Sequence, residues 1–314
     1  MVGTVCWRGI LFSQVIPCCL LLGCLAGSGC SINHYVLNKA ADAVAQTGTT
    51  YSSDDDPDLI KAAAPFGLKL TESMLAENPR HLGLLTSAAS GFTQYAYAFV
   101  QEEADEIEPQ DFAAAEVLRV RARRLYLRAR GYGLRGLEVK HPGFEKALLA
   151  SPRTAVRMAT KSDVPLLYWT AAAWASAISL SKDNPALVGQ IPAMEALMDR
   201  ALELDEGYGQ GAIHTFMITY EMSRSDGAGD PATRARQQFE RAMALSQGMD
   251  ASPLVALAEA VAIQKQDVKE FESLLNQALA VNPDASSGTR LLNTVMQRRA
   301  RWLLSRKSEL FLIQ

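Results

Sequence analysis

Two ionisable side chains, those of His214 and Glu221, could form a general acid–base pair. They are seven residues apart in a predicted helix, which places them on one face of it. The sequence supplies no G-x-S-x-G nucleophile motif, no H-E-x-x-H zinc motif and no Walker-type phosphate loop to accompany them. We favour the interpretation that the hydrogen-bonding groups of His214 have partners inside a packed helical interface. We predict that the protein is not an enzyme. A hydrolase centred on His214 is the alternative.

Three aromatic residues, Tyr168, Trp169 and Trp174, fall in one alanine-rich predicted helix. The two tryptophans are about 140° apart around the helix axis, so both can be buried only if neighbouring helices surround it. Burial is the simpler interpretation, since the alanines allow close packing. The functional alternative is a concave apolar cleft, bordered also by His214 and Glu221. These five residues are our candidate cleft for a ligand or a partner.

Six arginines lie between residues 119 and 130, after an acidic segment at 102–108. At about 100° per residue they divide into two groups on opposite sides of an apolar strip, so one continuous groove for a polyanion is not predicted. Ion pairs within the protein are the favoured interpretation. The alternative is that Arg124 and Arg128 contact an anionic ligand or partner carboxylates. The net charge of −3 argues against nucleic acid as the main partner.

The N-terminal segment has the layout of an export signal. All five cysteines lie within the first 30 residues, which excludes a later disulfide, thiolate nucleophile or cysteine metal site. One charge, on Arg8, precedes an apolar run that ends in small residues before Cys30. This pattern is typical of a cleaved secretory signal, with a permanent membrane helix as the alternative.

Small residues followed by a cysteine resemble the bacterial lipobox, in which the thiol is acylated and the preceding peptide bond is cut. We predict lipidation at Cys30, with Cys24 as a competing site, and a lipoprotein signal peptide over residues 1–29. A linker would follow over 30–56. The mature protein would be periplasmic and lipid-anchored, and Ser31 favours the outer membrane over the inner one.

Residues 57–314 are predicted to form an all-α domain, because apolar residues recur at helical spacing between Pro, Gly and Asn breaks. Asp56 and Pro57 are typical of a helix start, and we interpret the acidic residues before them as a cap and not as a calcium loop. No metal or cofactor is expected. The predicted helices cover 57–77, 80–101, 111–131, 164–181, 187–204, 208–224, 231–246, 253–264, 267–281 and 287–311, with shorter helices and loops over 132–163.

Similar helix ends recur along the chain. Ala201, Ala242 and Ala278 are spaced by 41 and 36 residues, close to the repeat of about 34 residues in tetratricopeptide (TPR) units. The pattern predicts stacked antiparallel helix pairs, a degenerate TPR-like α-solenoid.

The mature chain also resembles the T component of tripartite ATP-independent periplasmic (TRAP) transporters, a family of TPR-containing periplasmic lipoproteins. The resemblance is carried by the order of short segments at 30–33, 53–57, 65–69, 95–100, 125–128, 163–169, 211–214, 251–253 and 298–304. It implies a membrane-anchored, non-catalytic accessory protein that binds the solute-binding P component. A hydrophobic solute and a homo-oligomer are further expectations. A generic TPR lipoprotein scaffold in envelope assembly is the alternative.

Overall fold

The computed structural model describes residues 48–312 together with residues 39, 41 and 42. The predicted signal peptide and Cys30 lie outside this part of the chain. Within it, no helix is long and apolar enough to cross a membrane.

The described part of the chain is all-α, as predicted, and contains no strand. Its α-helices are α1 (Gly48–Ser52), α2 (Pro57–Glu77), α3 (Leu82–Ala96), α4 (Glu102–Ile107), α5 (Phe112–Lys140), α6 (Phe144–Ala150), α7 (Pro152–Ala155), α8 (Val164–Ser179), α9 (Pro185–Val188), α10 (Ile191–Leu204), α11 (Ala212–Tyr220), α12 (Pro231–Ser246), α13 (Ser252–Leu257), α14 (Val268–Ala280), α15 (Arg290–Ser305) and α16 (Lys307–Leu310).

The helices stack in chain order. α3 packs on α5, α5 on α8 and α8 on α10, while α11 to α15 each contact the next helix along the chain. In addition, α11 contacts α13 and α13 contacts α15, so consecutive pairs lie against each other. The recurring alanines Ala201, Ala242 and Ala278 are fully buried, where small side chains permit close helix packing. Assignment of these pairs to the TPR class stays a prediction.

The last long helix returns to the beginning of the domain. α15 contacts α1 and α2, and Arg298 Nη2 lies 2.9 Å from Glu106 Oε2 on α4. The N-terminal and C-terminal helices therefore meet across a shared interface.

α2 begins as its sequence indicates. The Asp56 carboxylate accepts hydrogen bonds from the backbone N–H groups of Asp58 and Leu59, both at 3.0 Å, and Pro57 occupies the first turn. Asp56 thus satisfies free donors at the helix start.

α5 is longer than predicted, because we expected it to end near Gly131 and the helix continues to Lys140. The three glycines Gly131, Gly133 and Gly136 have the spacing of a dinucleotide-binding loop, but such a loop follows a strand and opens a helix, whereas these lie inside one. Two of them let α8 approach closely. A Cβ atom on Gly133 would lie 2.0 Å from Thr170 Oγ1, and one on Gly136 would lie 2.6 Å from Leu166 Cδ2.

In the part of the chain that the structure describes, two helices contain a π turn. One joins α3 to α4 over Tyr97–Gln101, and the other extends α13 over Ala258–Ala262. A π turn adds a residue to the helical repeat and is often found at functional sites. Here each turn brings an acidic side chain to the interface between α4, α13 and α15.

Candidate functional site

Three aromatic rings, those of Tyr168, Trp169 and Tyr208, form one partly exposed cluster. Trp169 Nε1 donates a hydrogen bond to Tyr208 Oη at 3.1 Å. The ring centroid of Tyr168 lies 4.9 Å from that of Trp169 and 5.4 Å from that of Tyr208. All three side chains are partly buried. We call these three residues the aromatic cluster.

Local sequence explains how the cluster is positioned. α8, which carries Tyr168 and Trp169, begins after a turn in which Thr160 and Asp163 cap each other's free groups. Tyr208 lies in a short turn that ends at Gly211, where φ is 97°. A side chain there would lie 3.2 Å from the Cα atom of Ala242, so glycine is needed both for the turn and for the close approach of α12.

Tyr208 was absent from the sequence-based cleft. Nothing in its local sequence marks it, because it comes from a loop between α10 and α11 and meets Trp169 only in the folded chain. Burial raises the pKa of both Tyr168 and Tyr208, so both hydroxyls are neutral at physiological pH.

Trp174 does not belong to the aromatic cluster. Its ring is buried and its Nε1 donates to Gln190 Oε1 at 3.1 Å. The Arg130 guanidinium lies 4.8 Å from the ring centroid and also donates to Gln190. Trp174 therefore has a packing role, held by a cation–π interaction and one hydrogen bond.

His214 and Glu221 share a helical face, but their side chains contact different partners. His214 Nδ1 is 2.6 Å from Gln238 Oε1, and its Nε2 is 3.5 Å from a carboxylate oxygen of Glu206. Glu221 accepts a hydrogen bond from Arg234 Nε at 2.6 Å. Both side chains are buried, and their bonds to these partners do not form an acid–base pair.

His214 also borders an open surface depression of about 520 Å³. Its other lining residues are Leu202, Glu203, Leu204, Asp205 and Glu206. Three of these six residues are acidic, so the depression is less apolar than the cleft expected from the sequence. The five residues of the predicted cleft do not converge on a single site.

The two arginines proposed for anion contacts differ from each other. Arg128 Nε lies 2.8 Å from Glu72 Oε1, and its guanidinium lies 5.3 Å from the Phe92 ring centroid. Burial alone would raise the pKa of Glu72, but bonds from Lys69 and Tyr132 and the charge of Arg128 lower it. Both arginines are exposed, but Arg128 is engaged by Glu72 within the protein.

A buried polar cluster lies where the two π turns meet α15. Arg299 donates from Nε and Nη2 to Glu259 Oε1, at 3.0 and 2.7 Å, and its Nη2 is 3.2 Å from Asp105 Oδ2. Glu102 and Tyr97 are its electrostatic neighbours. We call these five residues the polar cluster. The acidic segment is evident in the sequence, but no local pattern indicates its contact with Arg299, which is far away along the chain.

No group of three or more His, Cys, Asp and Glu side chains in the described residues is placed to hold a metal ion. A family model described as TRAP transporter T-component matches residues 53–311, which span nearly all the helices. The chain belongs to this family.

The chain is also similar to another protein over nearly its whole length. The chain is 27% identical to a protein of Treponema pallidum (strain Nichols) described as uncharacterized, over 95% of this chain and 98% of that protein. The T-component family confirms the resemblance drawn from the sequence and gives the chain an accessory role in a TRAP transport system.

Proposed function

We propose that this T component is a non-catalytic accessory protein, anchored to the periplasmic side of a membrane by a lipid on Cys30, that binds the solute-binding P component. The family match across residues 53–311 is the observation that carries the proposal. A lipid anchor would hold the helical domain beside the bilayer and leave its surfaces free for a partner. We place the anchor in the outer membrane.

An exposed apolar stripe on α2 is a candidate docking surface for the P component. Leu59, Phe66 and Leu70 are exposed and lie within about 40° of each other around the helix axis. Phe66 alone exposes 75% of its surface. Grouped apolar side chains at the surface are typical of protein interfaces, and large aromatic residues contribute much of the binding energy there.

The first test is an affinity purification of the anchored protein from its host, followed by mass spectrometry. Recovery of a TRAP solute-binding protein would support the proposal. Recovery of envelope-assembly proteins in its place would favour a generic scaffold and would contradict it.

Phe66→Ser is expected to weaken binding of the purified P component at least tenfold, because an interface aromatic anchor contributes about 2 kcal/mol. Titration calorimetry measures the change. Leu149→Ser is the matched control, since Leu149 exposes 55% of its surface on α6 and lies outside the stripe. Equal affinities for both variants would exclude this surface as the docking site.

We further propose that the aromatic cluster contacts a hydrophobic solute. Its support is geometric: three rings from two elements meet at the surface, and each keeps part of its area accessible. Large aromatic faces offer apolar contact area, and the Trp169–Tyr208 hydrogen bond fixes two of the rings.

Decanoic acid should quench or shift the fluorescence of the purified protein saturably, and Tyr208→Ala should weaken the apparent affinity about tenfold because it removes one ring face. Phe112→Ala, which truncates an exposed ring on α5, is the control and should bind as the wild type. If decanoic acid caused no saturable fluorescence change in the wild type, the proposed binding of a hydrophobic solute would be contradicted. The proposed docking of the P component would not be affected.

A further inference from the structure

The exposed face of α5 carries a line of positive charge. Arg121, Arg124, Arg128 and Arg135 are all exposed. At about 100° per residue, they lie within about 60° of each other around the helix axis. A rise of about 1.5 Å per residue gives the line a length of about 21 Å. We call these four residues the arginine stripe.

Three guanidinium groups of the stripe lie beside aromatic rings. The pairs, with the distance from the guanidinium carbon to the ring centroid, are Arg121 with Tyr95 at 6.0 Å, Arg128 with Phe92 at 5.3 Å and Arg135 with Tyr132 at 5.4 Å. Contact with a ring restricts the rotamers of a long side chain, so less entropy is lost when the arginine binds an anion. The stripe is therefore partly preorganised.

Among the described residues, one carboxylate pairs with the stripe. Glu72 Oε1 lies 2.8 Å from Arg128 Nε, and Glu72 Oε2 lies 2.6 Å from Lys69 Nζ. Glu72 is thus shared between two cations and neutralises only one of them. The Arg128 side chain remains 47% exposed.

The other three arginines of the stripe have no carboxylate partner in the described part of the chain. Arg121 donates to Tyr95 Oη at 3.5 Å, and Arg135 donates to the Pro79 carbonyl at 3.0 Å, so both contacts are with uncharged oxygens. Arg124 is exposed and has no hydrogen-bond or ion-pair partner among the described residues. The stripe keeps a net positive charge on a protein whose total charge is −3, and an anionic surface would complement it.

The chain enters the domain beside one end of the stripe. Asp42 Oδ1 is 3.3 Å from His81 Nε2, and Pro79, two residues before His81, accepts the hydrogen bond from Arg135. Cys30 precedes Asp42 by 12 residues. A segment of that length reaches at most about 40 Å when fully extended. A lipid on Cys30 would therefore keep the stripe close to a bilayer.

We propose that the arginine stripe of α5 binds the phosphate groups of anionic phospholipids, at the surface of the membrane that holds the lipid anchor. The inference rests on the proposed acylation of Cys30. Guanidinium groups bind phosphate oxygens through two N–H groups at once, and basic residues beside an anionic bilayer add to its attraction. A line of about 21 Å fits an extended surface better than a single small anion. The stripe is separate from the aromatic cluster and from the α2 stripe.

The test measures binding to lipid vesicles by sedimentation. It uses the mature chain, residues 30–314, with Cys30→Ser, so that no acyl chain contributes to binding. Vesicles of phosphatidylcholine alone are compared with vesicles that contain about 30% phosphatidylglycerol, at low ionic strength. The protein should bind the anionic vesicles at least tenfold more strongly, and salt at about 0.5 M should abolish the difference.

Arg124→Gln should weaken binding to the anionic vesicles about fivefold, the effect expected for one basic residue at an anionic surface. Because Arg124 has no partner among the described residues, this variant should fold as the wild type does. Adding Arg121→Gln should bring the loss to about twentyfold. Arg157→Gln is the matched control, since it removes the same charge from an exposed arginine outside α5, and it should not change binding.

Equal binding of the wild type to both kinds of vesicle, or equal effects of Arg124→Gln and Arg157→Gln, would overturn the inference and leave the anchor unaffected. Calorimetry with the purified P component tests the other occupant. If Arg124→Gln weakened binding of the P component but not of the vesicles, the stripe would belong to a protein interface and the inference would be wrong.

Acylation of Cys30 is measured separately, from the mass of the protein extracted from its native membrane. Absence of the acyl groups would contradict the proposed anchor, whereas the vesicle comparison would still decide whether the stripe binds anionic lipid.

Discussion

Gly133→Ala should destabilise the protein by about 2 kcal/mol, although alanine is the better helix former. The added methyl would lie 2.0 Å from Thr170 Oγ1, 3.0 Å from Thr170 Cβ and 3.3 Å from the Thr170 backbone at its α-carbon. Because the last of these distances involves the backbone of α8, a change of the Thr170 rotamer cannot remove the whole overlap. Urea denaturation should show a lower midpoint with an unchanged slope.

The matched control is Gly131→Ala, two residues earlier in the same helix. A Cβ atom there would have no neighbour within 4 Å. This variant should therefore gain up to about 1 kcal/mol, because alanine loses less backbone entropy than glycine. Thr170→Ala should recover part of the stability lost in Gly133→Ala. If the two glycine variants had equal stabilities, close packing of α5 on α8 would be excluded.

The same glycines explain where sequence analysis of the fold succeeded and where it did not. Helical periodicity was sufficient to predict the all-α class and the start of α2 at Asp56 and Pro57, because both signals are local. The predicted end of α5 was wrong, because glycine usually disfavours a helix. Only the close approach of Thr170 explains why a glycine is needed at position 133 inside this helix. An interaction between distant segments overrides the local preference.

The candidate site also has one part that the local sequence indicates and another that only the packing of the helices explains. Tyr168 and Trp169 are prominent in the sequence, and the structure brings them together with Tyr208 from a separate loop. Trp174 has an equally prominent sequence signal but stacks on Arg130 in the interior. Residue type identifies side chains able to bind, whereas the packing of the helices decides which of them face solvent.

The polar cluster could not be predicted from the sequence. Glu102 stands among other acidic residues in a pattern typical of a solvated face, and Arg299 resembles one charge among several on the last helix. Their proximity follows from the return of α15 to the first helices and from the π turn that precedes Glu102. Neither feature has a local sequence pattern.

Asp163→Asn is expected to lower the free energy of unfolding by about 3 kcal/mol at pH 7, the largest loss that we predict. The substitution removes the negative partner of a buried ion pair. The Asp163 carboxylate is fully buried and pairs with Lys140, while its Oδ2 is 3.1 Å from His141 Nε2 and accepts from Thr160 N at 2.7 Å. These bonds join the end of α5 to the start of α8, which carries two residues of the aromatic cluster. The variant should therefore also weaken decanoic acid binding.

The pH dependence of stability provides a separate check of this ion pair. Burial would raise the pKa of Asp163, but its bonds to Lys140, Thr160 and His141 lower it from 3.8 to about 2. The unfolded chain then takes up the proton first as the pH falls, so the contribution is complete above about pH 4 and is lost towards pH 2. The gap in unfolding free energy between wild type and Asp163→Asn should close over that range. Asp226→Asn, a surface carboxylate beside Arg224, should show a far smaller gap at pH 7, and an equal one would contradict the burial argument.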